Sequence, residues 1–457
     1  MNISQVTSKI SEKITMKEKV GYATGDLACN FIYQTVSSYL LFFYTDVFGI
    51  SAAAAGFMFL IVRLFDAVMD PLIGTVVDKT NTKYGRFRPY ILYGAFPFAG
   101  VAILCFTTPA FSDPIKLVYA YVTYILLSVT YSVVNIPYAA LTSAITQDNK
   151  EVVSLTSIRM LFSNTGGLIV SFGVPLLAGI FTNMTGKTST GWQITMSIMG
   201  ILGALLLIYC FLNTQERVRI DHSEDAKINV KDIFIQLKSN RPLVIICLFF
   251  ILNFGVNSIV NSVGIYYVTY NVARPDLVKW YGLMGTLPAL ILMPLMPSMY
   301  KWMGKKKLLF TALSLKAIGL IALFVIPATM VPLVFAGRLI AALGTITAGA
   351  FTWALIPETI DYGQYKTGKR ASGVIYALVG FFFKFGMAIG GIVPGLILAK
   401  FGYVANHAQT ATALHGILIT MTAIPVIFVI IELVAIFFYN LDEKEHKRVL
   451  SELNTRV

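Results

Sequence analysis

An all-α membrane fold, twelve transmembrane helices in two six-helix halves, is what this sequence predicts, and three observations carry it. The 457 residues are 56% hydrophobic and only 13% charged, against about 25% charged residues in soluble domains. The apolar runs are long enough to cross a bilayer, because about 20 residues rising 1.5 Å each span the ~30 Å hydrocarbon core. The basic residues crowd into alternate connections, as a chain threading a membrane back and forth requires.

Taken in order, the chain begins with a polar N-tail, 1–19, that has no apolar core of a cleavable signal, so the first span is expected to direct insertion. Spans follow at 20–45, 52–77, 89–109, 116–144, 153–182 and 192–213. After a hydrophilic stretch come spans at 242–270, 278–300, 306–327, 331–357, 371–399 and 411–439. This divides the chain into an N-terminal bundle, 20–214, a central cytoplasmic loop, 215–241, a C-terminal bundle, 242–440, and a cytoplasmic C-tail, 441–457. Two six-span bundles on either side of a central loop predict parallel repeats with a substrate site between them. Charge tests the threading. One set of connections holds Lys17 and Lys19, the run Lys79 to Arg88, Arg217 to Arg241, Lys301 to Lys307, Lys366 to Arg370 and the C-tail bases, whereas the other holds only Lys116, Lys187, Arg274, Lys279 and Lys400. By the positive-inside rule both termini are cytoplasmic and the protein is multi-pass in the cell membrane. The net charge of +13 is thus accounted for by topology, with membrane lipid rather than nucleic acid as its partner. Cys29, Cys105, Cys210 and Cys247 fall inside spans at no metal-like spacing and read as small apolar residues.

The second span carries Asp66 and Asp70. Four residues apart, they project from one helix face a turn from each other. Each costs about 2.5–3.5 kcal/mol at a helix centre on insertion scales. Two stacked acids have the geometry of a cation or proton site, because a small cation or a shared proton relieves their repulsion. Asp26 in the first span, Tyr131 and Asn135 in the fourth and Lys384 in the eleventh also lie within the apolar runs and are candidates to converge with the pair. Each has a bland reading beside the functional one. A single intramembrane Asp serves equally as a hydrogen bond between helices, Asp26 and Lys384 as a structural ion pair, and Arg63 and Arg159 as helix bridges. Lys316 and Glu432 have no evident partner in the sequence. Gly386, Gly390 and Gly391 beside Lys384 permit close packing of helices.

A second charged set, Asp78, Arg86, Arg88, Glu358, Asp361 and Arg370, lies at span ends and in the loops beside them. Ion pairs between the halves would close an inner gate there, and ordinary solvated loop charge is the alternative. The basic loop at 78–89 is echoed at the same place in the second half by Lys301 to Lys307.

Several stretches carry a resemblance: G-D-L-A-C-N at Gly25 to Asn30, F-Y-T-D-V at Phe43 to Val47, R-x-x-D-A-x-x-D-P at Arg63 to Pro71, G-R-F-R-P at Gly85 to Pro89, V-N-I-P-Y at Val134 to Tyr138 and D-Y-G-Q-Y at Asp361 to Tyr365. In order and over nearly the whole chain, they resemble the glycoside-pentoside-hexuronide:cation symporters, a branch of the major facilitator superfamily. The resemblance implies sugar uptake coupled to Na⁺ or H⁺ and no other cofactor. It implies that Asp66 and Asp70 bind the cation, a metal ion if it is Na⁺, with Ser132 as an added oxygen. It places Asp26, Tyr131, Asn135, Arg159 and Lys384 at the sugar. Three departures from the melibiose permease, Gly25 for a lysine, Asn135 for an acid and Gly349 for a stacking tryptophan, argue against a galactoside pocket and toward the glucuronide and pentoside members.

The alternatives are a lipid or drug carrier on the same fold and a membrane-embedded hydrolase using the Asp66/Asp70 pair as acid and base. The second lacks any H-E-x-x-H, G-x-S-x-G or P-loop motif in the sequence.

Overall fold

The computed structural model describes residues 14–146, 148–218 and 230–455. Among these the regular elements are helices, apart from an isolated bridge between Thr82 and Gly85. Helix is what a bilayer requires, since every backbone amide and carbonyl must find its partner within the segment.

The chain divides into two compact units, Met1–Glu224 and Asp225–Val457. The first holds α1 (Met16–Phe42), α2 (Ala52–Asp78), α3 (Arg88–Cys105), α4 (Asp113–Ile145), α5 (Asn149–Thr185) and α6 (Thr188–Asn213). Local chemistry sets their ends: Thr15 Oγ1 accepts from the Glu18 amide at the start of α1, and Gly186 closes α5 in the left-handed conformation (φ 68°). In this unit α1 packs on α5 and α6, α4 on α2 and α3, and α3 on α6.

In the second unit the elements are α7 (Val230–Ser239), α8 (Arg241–Tyr266), α9 (Val278–Thr286), α10 (Pro288–Met303), α11 (Lys305–Val325), α12 (Val331–Ala354), α13 (Ile356–Thr367), α14 (Ser372–Lys400), α15 (Ala411–Leu418), α16 (Ile424–Phe437) and α17 (Glu443–Thr455). The eighth span is α9 with α10, the tenth is α12 with α13, and the twelfth is α15 with α16 across a π-turn, Ile419–Ala423. The neighbour scheme of the first unit recurs: α8 packs on α14 and α16, α12 on α11 and on α9 and α10, and α11 on α16. In both units, exchanging the first three spans for the last three leaves these pairings unchanged, although α5 also packs on α6 with no such counterpart between α2 and α3.

Among the described residues, eleven segments are long and apolar enough to cross a membrane. The first of the twelve expected spans, α1, is not among them, because Asp26, Asn30 and Gln34 hold down its apolarity. Its packing along α5 and α6 places it within its unit. Two stretches read as loop and tail contain helices. In the 215–241 connection, α7 belongs to the second unit, where the buried Gln236 packs against Gly363 and donates to Thr367 Oγ1 (3.4 Å). The C-tail folds as α17, which lies on α13 with Val449 buried.

The echo between the two basic loops has a structural counterpart. The Glu216 carboxylate accepts from the amides of Arg86, Phe87 and Arg88 at 2.8–2.9 Å, capping α3. Glu443 likewise accepts from the Lys305 amide at 2.8 Å, capping α11. An anion there answers the positive end of each helix. Both caps follow a glycine with positive φ, Gly85 (105°) and Gly304 (71°). At Gly85 a side chain would run into the Glu216 carboxylate.

The core of the second unit contains an ion pair. Lys316 on α11 and Glu432 on α16 are both 0% exposed and 3.4 Å apart, and Lys316 Nζ also donates to Asn253 Oδ1 on α8 (2.9 Å). The two charges without an evident partner in the sequence are therefore each other's, 116 residues apart in the chain. Gly344 lets α12 approach so closely that a side chain there would overlap the Ala312 carbonyl and the Lys316 backbone.

Removing one member of a buried pair strands the other. Lys316→Met should therefore lower stability by about 3–5 kcal/mol, while Lys316→Met/Glu432→Leu should recover most of the loss, read as melting of the purified protein. A double variant no more stable than the single one would exclude the stranded charge as the cause.

Candidate functional site

The acid pair of α2 meets two serines of α4. Asp66, 4% exposed, accepts from Ser128 Oγ, and Asp70 accepts from Ser132 Oγ at 2.7 Å. Ser128 and Ser132 are themselves four residues apart, so two helix faces with the same 3.6-residue period lie in register as a two-rung ladder. Pro71 follows Asp70 inside α2 and has no N–H for the Ala67 carbonyl, which adds a main-chain oxygen to this stretch. Carboxylate, hydroxyl and carbonyl oxygens are the ligands of a hard cation. Among the described residues no three His, Cys, Asp or Glu side chains gather for a metal ion.

Arg63, one turn before Asp66, reaches its Oδ2 at 3.4 Å and lies over the Tyr33 ring of α1 at 5.9 Å. Tyr33 stacks on Tyr131 of α4 with centroids 5.3 Å apart, and Tyr131 packs on Phe98. These residues, with Tyr124 and Ser128, line a cavity of ≈ 30 Å³. That is room for a water or a small ion and far too little for a sugar ring.

Asp26 lies two turns before Tyr33 on the same face of α1. It pairs with Arg159 of α5 (3.7 Å), and Arg159 also donates to the Tyr22 hydroxyl at 3.4 Å. Asn30 ties the two helices by donating to the Asp26 carbonyl and to Ser163 Oγ, both at 2.9 Å. Asn135, half-buried on α4 one turn beyond Tyr131 and Ser132, makes no side-chain hydrogen bond among the described residues. Within the first unit, Asp26, Tyr131, Arg159, Asp66, Asp70 and Ser132 thus fall on the facing sides of α1, α2, α4 and α5.

Lys384 belongs to the second unit. It is half-buried on α14, next to Phe383, whose ring meets Phe254 of α8 edge-on at 4.5 Å. Gly386 and Gly390 bring α14 onto α8, where a side chain would overlap the Ile251 carbonyl or Ser258. The candidate gate residues have partners in their own units: Arg86 with Asp78 (3.7 Å), Arg370 (3.0 Å) and His446 (3.2 Å) with Asp361, and Glu358 with Lys305. Arg88 donates to the Phe211 carbonyl at 2.8 Å. Reading the sequence missed Ser128, although its spacing from Ser132 repeats that of the acids, and singled out neither Lys305 nor Arg338.

These elements can be set beside known proteins. The family profile described as MFS/sugar transport protein matches residues 21–443. A Bacillus subtilis (strain 168) protein named uncharacterized symporter YnaJ is 63% identical over 445 residues, 97% of this chain and 96% of that one. The isoprimeverose transporter of Lactiplantibacillus pentosus is 37% identical over 447 residues, 97% of this chain and 92% of that one. A solved bacterial homolog of the human lysosomal transporter Spinster superposes with a TM-score of 0.70 at 16% identity, over 93% of this chain and 98% of that one, and shows the fold. Matched over nearly its whole length, the chain belongs to the MFS/sugar transport protein family, in the glycoside-pentoside-hexuronide:cation symporter branch that its motifs resemble, and is a multi-pass membrane transporter rather than an enzyme.

Proposed function

We propose that the chain takes up a glycoside, pentoside or hexuronide by symport with a monovalent cation, Na⁺ or H⁺, through alternating access. The observation that carries this reading is the ladder of Asp66 and Asp70 on Ser128 and Ser132, with an ion-sized cavity at its Ser128 rung. Asp66, Asp70, Ser132 and Ser128 hold the cation. Asp26, Tyr131, Asn135, Arg159 and Lys384 face the sugar, and Asn135 is supported by having no protein partner for its amide among the described residues. Coupling has a physical route. Asp66 holds Arg63, Arg63 lies on Tyr33, and Tyr33 stacks on Tyr131, so a cation that competes for the carboxylate shifts the group at the sugar. By linkage the sugar must then tighten the cation by the factor that the cation tightens the sugar. Asp78, Arg86, Arg88, Glu358, Asp361 and Arg370 control access, since their ion pairs have to be remade as the transporter changes state.

Three outcomes are expected. Asp66→Asn and Asp70→Asn should each abolish gradient-driven accumulation in proteoliposomes while leaving sugar-for-sugar exchange, which moves no net cation. Accumulation that survived both changes would remove the cation role. Asn135→Asp should weaken binding of a glucuronide at least tenfold, about 1.4 kcal/mol, with little effect on its uncharged glucoside, because it places a like charge beside the carboxylate; equal losses would leave Asn135 only a hydroxyl partner. Asp361→Asn, which frees Arg370 and His446, should speed labelling of a cysteine placed in the pathway, and an unchanged rate would leave these pairs as surface charge.

A further inference from the structure

Arg338 lies about two turns into α12, inside the candidate span Val331–Thr367, and is 8% exposed. An arginine at such a place normally snorkels to the interface or pairs with an acid. Snorkelling is at most partial, since only 8% of the residue is exposed and Nε is buried. As for the second, Arg338 makes no ion pair or side-chain hydrogen bond among the described residues. Asp276, at the start of the eighth span, is held by Arg274 at 2.8–2.9 Å. Loss of the proton is closed to a guanidinium. What Arg338 does have is the Tyr281 ring of α9, with Cζ 5.2 Å from the centroid.

The surroundings are built for more than that contact. Tyr267, in the π-turn after α8, and Tyr281 bring their rings to 6.2 Å, and both hydroxyls are buried without a partner among the described residues, as is Arg338 Nε. Phe335, one turn before Arg338, closes a wall edge-on to Tyr281 at 6.1 Å. Gly285, one turn after Tyr281, leaves the space the guanidinium occupies, since a Cβ there would overlap Arg338 Nη2. A fixed cation with its Nε unanswered and two buried hydroxyls that lack an acceptor, walled by aromatic rings, are the complement of an anion.

We propose that Arg338, Tyr281 and Tyr267 form a binding site for a small monoanion, a carboxylate or a halide. The site lies wholly in the second unit and does not depend on the cation reading above. A carboxylate source would be a sugar acid, and a halide source would be chloride.

The test is the melting temperature of the full-length protein in detergent, titrated with chloride or glucuronate at constant ionic strength against a bulky sulfonate. A saturable rise is expected for the wild type. Tyr281→Phe keeps the ring beneath the guanidinium but removes the donor, and should raise the apparent anion Kd about tenfold; Arg338→Gln should abolish the response. Saturation by chloride alone identifies a halide site, by glucuronate alone a sugar-acid site, and by both a site open to either. No saturable response in the wild type, or one left unchanged by Tyr281→Phe or by Arg338→Gln, overturns the proposal. Should Arg338→Gln fail to fold, the Tyr281→Phe titration decides, because a purely structural stacking role would leave it unaltered.

Discussion

Hydrocarbon has no water to lend, so a polar group that enters it is costly unless another part of the same protein, or something the protein binds, answers it. The internal arrangement of both units follows from that constraint. Asp66 and Asp70 are answered by serines and by Arg63, Asp26 by Arg159, and Lys316 by Glu432 and Asn253. The chain carries few charges in its spans, and it spends them as joints between helices that are distant in sequence. A joint of this kind is also a natural place for function. Its charges are already desolvated, so adding or removing one small ion changes its energy far more than the same event would in water.

Span positions were legible because bilayer thickness imposes a length that composition reveals directly. The stretch 52–77 folds as Ala52–Asp78, and 371–399 as Ser372–Lys400. The stacking of Asp66 and Asp70 was legible for the same kind of reason, since helical period alone sets which residues share a face. Partners across helices were not. Which serine answers which acid, or that Lys316 meets Glu432, depends on the rotation of each helix about its axis, and no local pattern records that angle. The short helices α7 and α17 escaped notice because their charged faces look like loop, and their apolar residues are too few to stand out from it. That Asp26 meets Arg159 was not legible either, because it depends on how α1 packs against α5.

The two units also share a construction that hydropathy does not display. In each, the third span opens at an acid contributed by the stretch after the sixth, through Glu216 in one and Glu443 in the other. Each is preceded by a glycine turned to positive φ. An echo that is thin in residue letters is firm in hydrogen bonds, because what recurs is a carboxylate at a helix N-terminus rather than a string of side chains.

That shared cap has a consequence for the order in which the protein is made. Glu216 leaves the ribosome 130 residues after the Arg86 amide it will satisfy, which at about 5–20 residues per second is a delay on the order of ten seconds. Through that interval the start of α3 has its free amides but not its acid. The N-terminal unit is closed by the last few residues to be synthesised, and the connection following α6 acts as a latch on everything translated before it.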